Sequence, residues 1–141
     1  MNLILISILT LWFNPPTNTT SLTVNINDID NAGQGKIHIL LWDKPDGFPR
    51  TMENAKYRAT VSLFNSKAVH TFKNIPNGKY AIILFQDKNG NATLDFNFIG
   101  IPKEPLGAYN QSGLGRPTFD KSTIVLDRPT QSVTIKMMND L

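Results

Sequence analysis

The residues of this sequence best suited to chemistry are oxygen-bearing side chains at alternate positions of one short segment. They are Asp87, Asn89, Asn91, Thr93 and Asp95. A hard cation such as Ca²⁺ needs about six to eight oxygen ligands that converge from a tight loop. The spacing therefore predicts a calcium-binding loop, to which Thr93 contributes its main-chain carbonyl oxygen and the other residues contribute their side chains.

The same segment also fits a polar turn without a metal. Asn89-Gly90 is a common pair in tight turns, and Asp and Asn side chains accept hydrogen bonds from nearby backbone N–H groups. The loop departs from an EF-hand, because Ala92 stands where a Gly makes the sharp turn and Phe98 stands where a Glu is usual. Any calcium ligands still missing must come from elsewhere in the chain. The candidates are Asp43, Asp46 and Glu104.

A second segment, residues 97–110, mixes aromatic residues with Gly and Pro. A binding surface built from Phe96, Phe98 and Tyr109 is one interpretation. The alternative is a small core, in which these rings cover one open end of the fold.

The elements that position these segments are short strands with alternating apolar residues, separated by turn residues. Residues 86–120 lack this pattern and are predicted to form one long ordered loop, because their Gly, Pro and aromatic content is high. The fold class is predicted to be all-β: a single antiparallel β-sandwich, immunoglobulin-like or transthyretin-like, with about seven strands. The predicted strands cover residues 22–26, 37–42, 59–63, 68–72, 80–85, 122–126 and 132–138.

The N-terminal segment, residues 3–13, is an uncharged apolar run of 11 residues. A membrane-spanning helix needs about 20 residues, so the run is more typical of a secretory signal peptide. We therefore expect a signal peptide at residues 1–20 and a β-sandwich domain at residues 21–141. The protein would then be exported, periplasmic or extracellular, with no transmembrane segment after cleavage. The alternative is that the run packs into the core.

Composition excludes several classes of protein. The 141 residues contain no Cys, which rules out disulfides, thiolate metal sites and a cysteine nucleophile. The net charge of +3 is a weak excess without a run of Lys or Arg, so nucleic acid is not an expected partner. His38 and His70 alternate with apolar residues in predicted strands, so both are interpreted as residues on a strand face.

Four motifs occur in a specific order after the apolar run. They are W-x-x-P-D-G-F-P from Trp42, F-x-x-I-P-x-G-x-Y-A-I from Phe72, D-x-N-G-N from Asp87 and G-I-P-K-E-P from Gly100. In this order they resemble the bacterial domain-of-unknown-function family numbered 2141. The resemblance implies an exported, single-domain protein of uncharacterised activity. The usual loop of that family carries a second Gly at the position of Ala92.

No catalytic constellation is present in the sequence, so we expect a non-enzymatic binding or accessory module at the cell envelope. Its expected partner is an envelope protein or a glycan, and Ca²⁺ is its one expected cofactor. A first alternative is a small metal-assisted hydrolase that uses the carboxylates of Asp87, Asp95 and Glu104. A second alternative is a carbohydrate-binding module. Its candidate aromatic residues are Trp42, Phe48 and Tyr109.

Overall fold

The computed structural model describes residues 18–30, 35–63, 65–112 and 115–138. The predicted signal peptide falls almost wholly on residues 1–17, outside the described residues, and stays a prediction. Within the described ranges, no helix has the length and apolar character needed to cross a membrane.

The chain forms eight β-strands and two short 3₁₀ turns. The strands are β1 (Thr19–Asn27), β2 (Lys36–Trp42), β3 (Tyr57–Ser62), β4 (Ala68–Pro76), β5 (Gly78–Asp87), β6 (Leu106–Ala108), β7 (Thr123–Leu126) and β8 (Thr130–Lys136). The 3₁₀ turns are Met52–Asn54 and Asp120–Ser122. All seven predicted strands are present, with ends shifted by a few residues.

The strands form two sheets. One has the order β4-β1-β8, and the other has the order β3-β2-β5-β6, with β7 also paired to β5. The prediction of an all-β sandwich is confirmed. Two details differ: β1 and β8 pair in parallel, and β6 is an eighth strand inside the segment predicted to be a loop. Periodicity shows which face of a strand is apolar, but it does not show strand direction or a strand of three residues.

The main core lies between the two sheets. Alternate residues of β1 (Leu22, Val24 and Ile26) are fully buried there, against alternate residues of β2, β5 and β8. This burial is the dominant favourable contribution to folding, at roughly 25 cal/mol per Å² of apolar surface.

A second apolar cluster lies on the opposite face of the five-stranded sheet. Its centre consists of Trp42 from β2 and Phe85 from β5, both fully buried. Two irregular segments cover it, residues 43–56 and residues 88–105, which contribute Met52 and Leu94 respectively. The second cluster explains why β2 and β5 are apolar on both faces, and it provides the surface on which the predicted calcium loop lies.

Candidate functional site

The polar loop begins at the end of β5 and extends to β6. We call residues 87–105 the cover loop, because they lie over the second apolar cluster. Leu94 anchors the loop: its side chain is buried in that cluster, and its backbone N–H lies 3.4 Å from the sulfur of Met52. The loop is therefore an ordered layer of the fold.

Asp87 organises the first half of the cover loop. Its Oδ1 accepts the backbone N–H of Gly90 at 2.8 Å, and its Oδ2 accepts that of Ala92 at 2.8 Å. Nε2 of His38 lies 3.3 Å from the same Oδ2. Burial raises the pKa of the Asp87 carboxyl, but the hydrogen bonds from Ala92, Gly90 and His38 outweigh burial and hold this pKa below its ordinary value. Asp87 is thus an ionised anchor for the loop.

His38 connects this anchor to the edge of the sheet. Its cross-strand partner on β3 is Thr60, whose Oγ1 lies 2.9 Å from Nδ1 of His38. The imidazole stacks on the ring of Phe85, with centroids 4.9 Å apart. The row Thr60–His38–Asp87 lies along an open cleft of about 680 Å³, which Lys36 also lines. Alternation alone did not reveal this row, because it depends on which residues face each other across three strands.

The other predicted calcium ligands form a separate cluster. The side-chain N–H groups of Asn89 and Asn91 donate to Oδ2 of Asp95 at 2.9 and 2.7 Å. Their amide oxygens accept backbone N–H groups, Asn89 from Asn91 at 3.1 Å and Asn91 from Thr93 at 2.9 Å. The structure therefore brings Asn89, Asn91 and Asp95 together, while the carboxylate of Asp87 binds other partners.

Glu104, near the C-terminal end of the cover loop, is buried. Its Oε2 lies 3.5 Å from the backbone N of Asp95, and its Oε1 has no hydrogen-bond partner among the described residues. The pKa of Glu104 is raised, mainly by burial and further by the charges of Asp87 and Asp95. Hydrogen bonds from the backbone N–H groups of Asp95 and Lys88 lower this pKa but do not cancel the increase. Asp46, another candidate ligand, accepts the side chain of Asn54 at 3.2 Å.

The far end of the cover loop is a compact turn, residues 96–102, closed by a bridge between Phe96 and Pro102. We call it the tip. The backbone N–H of Asn97 donates to the carbonyl of Ile101 at 2.8 Å, and that of Gly100 donates to the carbonyl of Asn97 at 3.0 Å. The side-chain oxygen of Asn97 accepts the N–H groups of Ile99 and Ile101 at 3.1 and 2.9 Å. Phe98, between these anchored positions, is 99% exposed.

Residues 24–134 match a family model described as an uncharacterized protein conserved in bacteria, DUF2141. The chain belongs to this family. The resemblance identified from the four motifs is thereby confirmed. No curated protein and no solved structure matches the chain significantly.

In this DUF2141 domain the predicted aromatic surface separates into two kinds of residue. Phe98 is exposed. Phe96 is half-buried beneath the guanidinium of Arg50, which lies 4.8 Å from the ring centroid. Tyr109 is half-buried against the main core. Phe96 packs against the second apolar cluster and Tyr109 against the main core, so the three rings form neither one exposed surface nor one small core.

The aromatic residues considered for carbohydrate binding do not form an exposed platform. Trp42 is fully buried. Phe48 is half-buried and packs edge-on against Trp42 and Phe119, with ring centroids 5.5 and 5.8 Å apart. These rings stabilise the second apolar cluster of the DUF2141 domain, so presentation of Trp42 to a sugar, as the sequence suggested, is wrong.

The part of the DUF2141 domain that the structure describes contains no group of three or more His, Cys, Asp or Glu side chains arranged to hold a metal ion. A cation in the cover loop would therefore depend on amide and main-chain oxygens next to Asp95 and Glu104. Oxygen ligands of this kind are those that Ca²⁺ prefers. The unpartnered Oε1 of Glu104 fits such an ion, because a buried acceptor without a donor is costly.

Proposed function

We propose that this chain is a non-enzymatic, exported binding module of the bacterial cell envelope, that the cover loop is its contact element and that Ca²⁺ stabilises this loop. One observation carries the proposal: a fully exposed Phe98 stands on a turn whose backbone is hydrogen-bonded, at the end of a loop anchored in the core. An exposed large apolar side chain on a rigid support favours a contact role, since rigid presentation lowers the entropic cost of binding.

The polar groups of the cover loop support a structural role for the loop itself. The Asp87 carboxylate accepts two backbone N–H groups, and Glu104 is a buried residue of the same loop. Groups engaged in this way hold a loop conformation. They are less suited to proton transfer with a substrate, which requires access to the reacting atom.

The proposed calcium ligands are Asp95, Asn89, Asn91, the carbonyl oxygen of Thr93, and Glu104. The amide groups of Asn89 and Asn91 must rotate to turn their oxygens toward Asp95. This rotation breaks the two hydrogen bonds that these oxygens accept from backbone N–H groups. Asp87 joins this set only by releasing Gly90 or Ala92. With these costs, we expect a dissociation constant of roughly 10⁻⁴ to 10⁻³ M, in the range of extracellular calcium modules.

Thermal and urea unfolding in calcium and in chelator test this proposal. At about 5 mM calcium and a dissociation constant near 0.5 mM, mass action predicts a gain of about 1.4 kcal/mol in the free energy of unfolding. Asp95→Asn and Glu104→Gln should lose the gain, and the exposed-surface control Asp127→Asn should keep it. An unchanged wild-type stability at about 10 mM calcium would contradict the calcium part of the proposal.

A second candidate function is hydrolysis in the cleft along Thr60, His38 and Asp87. The observation that favours it is a chain of hydrogen bonds from Thr60 to His38 and from His38 to Asp87. A hydroxyl, an imidazole and a carboxylate linked in this order can act as nucleophile, base and orienting group. Hydrolysis of p-nitrophenyl acetate tests it. This candidate requires a rate above buffer that Thr60→Val and His38→Ala both abolish, and equal rates in all three proteins would exclude it for this ester.

A further inference from the structure

We infer that the tip docks onto an anionic phospholipid surface by inserting Phe98 into the interfacial region. The inference rests on the proposed role of the cover loop as the contact element, and it names the partner of that element. It is carried by three features of the tip: contiguous apolar exposure, a backbone hydrogen-bonded within the turn and flanking positive charge.

The exposed apolar residues of the tip are contiguous. Phe98, Ile99 and Ile101 are 99%, 64% and 42% exposed. Val69 on β4 and Val125 on β7 have comparable exposure to Ile99, at 60% and 57%, but each lies on a different strand. Single exposed apolar residues are ordinary, whereas a group on one turn marks a contact surface.

Four backbone N–H groups of the tip have acceptors within the turn and do not depend on water for a partner. Four N–H groups, those of residues 97, 99, 100 and 101, donate to oxygens within the turn, and Asn97 supplies two of these acceptors. A backbone N–H that enters a low-dielectric region without an acceptor costs several kcal/mol. The tip avoids this cost for these four groups, so its side chains can leave water while the turn keeps its conformation.

Lys103 and Arg50 place positive charge beside the tip. Residues 96–103 contain Lys103, whose side chain is exposed, and no acidic residue. Of the two acidic residues that flank this range, Glu104 is buried, and the carboxylate of Asp95 accepts the side-chain N–H groups of Asn89 and Asn91. Arg50, also exposed, lies over the ring of Phe96 at the base of the turn. Gly100 accommodates this arginine, because a Cβ at that position would lie 2.6 Å from the guanidinium Nη2. At the surface of an anionic membrane, such cations contact the headgroups while the apolar side chains enter the acyl region below them.

The shape of the tip also favours lipid over a protein groove. Phe98 projects from a tight turn at 99% exposure, and a fluid interface accepts such a convex group without a complementary pocket. A protein partner would need a pocket shaped for this turn.

Sedimentation with vesicles tests the inference. The full chain is mixed with vesicles of phosphatidylcholine and phosphatidylglycerol (3:1) or of phosphatidylcholine alone, in calcium. We expect binding to the mixed vesicles that weakens roughly tenfold or more in Phe98→Ala, because the phenyl ring supplies most of the buried apolar area. Lys103→Gln and added salt should weaken binding more moderately, and phosphatidylcholine vesicles should bind less protein.

Val69→Ala and Val125→Ala are the matched controls, since both remove exposed apolar groups from other surfaces. They should bind vesicles like the wild type. In Phe98→Trp, the tryptophan emission should shift to shorter wavelength with mixed vesicles. Phe98 is almost fully exposed, so its variants should unfold at the wild-type temperature, and this is checked in the same samples.

Three results would overturn the inference: no wild-type binding to mixed vesicles, equal binding by Phe98→Ala, or crosslinking from position 98 to a protein alone. If calcium still stabilises the cover loop in that case, the lipid partner is wrong and the calcium part of the proposed function stands. If vesicles bind through Phe98 but calcium changes nothing, the calcium part fails and the docking inference stands.

Discussion

Ala92 donates its backbone N–H to Oδ2 of Asp87 at 2.8 Å while its own φ is +58°. A left-handed conformation costs a residue with a Cβ roughly 1–2 kcal/mol. The hydrogen bond to a buried carboxylate therefore holds a strained residue in the middle of the cover loop. Ala92 also stands at the loop position where an EF-hand carries its turn glycine, so the strain has a direct sequence cause.

Replacing Ala92 with Gly should stabilise the protein. Glycine adopts positive φ without strain, and this gain exceeds the entropy lost by the more flexible unfolded chain. We expect the free energy of unfolding to rise by about 0.5–1 kcal/mol in urea titrations. Ala59→Gly on β3 is the control and should lower stability by about 0.5–1 kcal/mol. A less stable Ala92→Gly variant would show that the strain is not there.

Removing the Asp87 carboxylate should destabilise the cover loop more than removing an exposed one. Asp87→Ala leaves the N–H groups of Gly90 and Ala92 without their acceptor, and hydrogen bonds to charged groups contribute about 1.5–3 kcal/mol. We expect a loss of about 2–3 kcal/mol in urea unfolding. Asp127→Ala, whose carboxylate is exposed beside Arg128, should change stability by less than about 0.5 kcal/mol. Equal losses in the two variants would refute the anchoring role.

Much of the fold could be predicted from the sequence, because a sandwich encodes its core in alternation. Leu22, Val24 and Ile26 each appear in the pattern and are each buried. The parallel pairing of β1 with β8 could not be predicted, since periodicity is the same in both directions. Strand β6 was missed because a three-residue strand, Leu106–Ala108, has too few residues to alternate.

The site could be predicted only where its residues are neighbours in sequence. The cluster of Asn89, Asn91 and Asp95 follows from their spacing. The contact of His38 with Asp87 joins two strands, and it depends on a register that one sequence does not display. The exposure of Phe98 was equally hidden, because an aromatic residue in a Gly- and Pro-rich segment is compatible with either a buried or an exposed position.

Glu104 should make the stability of the calcium-free protein depend on pH. Its pKa is raised in the folded state from an ordinary 4.5, so the folded protein binds the proton more tightly than the unfolded chain. Stability should therefore fall as pH rises from about 4.5 through the raised pKa. Asp87, with a lowered pKa, acts in the opposite direction: its contribution is present above its ordinary 3.8 and is lost as pH falls through the lowered value.

The pH effect of Glu104 is measured by urea unfolding in chelator from pH 4 to pH 8, with Glu104→Gln as the matched variant. The Gln side chain keeps the shape and removes the titration. The variant should become the more stable protein as pH rises, and the charges of Asp87 and Asp95 should favour it further. If the stabilities of the two proteins differ by a constant amount across this range, Glu104 has no raised pKa.

A methyl group at Gly107 should disrupt the contact between β6 and the core. A Cβ there would lie 2.7 Å from Cδ1 of Leu84, 2.9 Å from the carbonyl oxygen of Lys136 and 3.0 Å from Cγ2 of Ile135. Overpacking of this kind costs about 1–3 kcal/mol, and a backbone oxygen cannot move aside as a side chain can. We therefore expect Gly107→Ala to lower the free energy of unfolding by about 1–3 kcal/mol, measured by urea titration. If Gly107→Ala is as stable as the wild type, β6 is not packed as closely against β5 and β8 as these distances indicate.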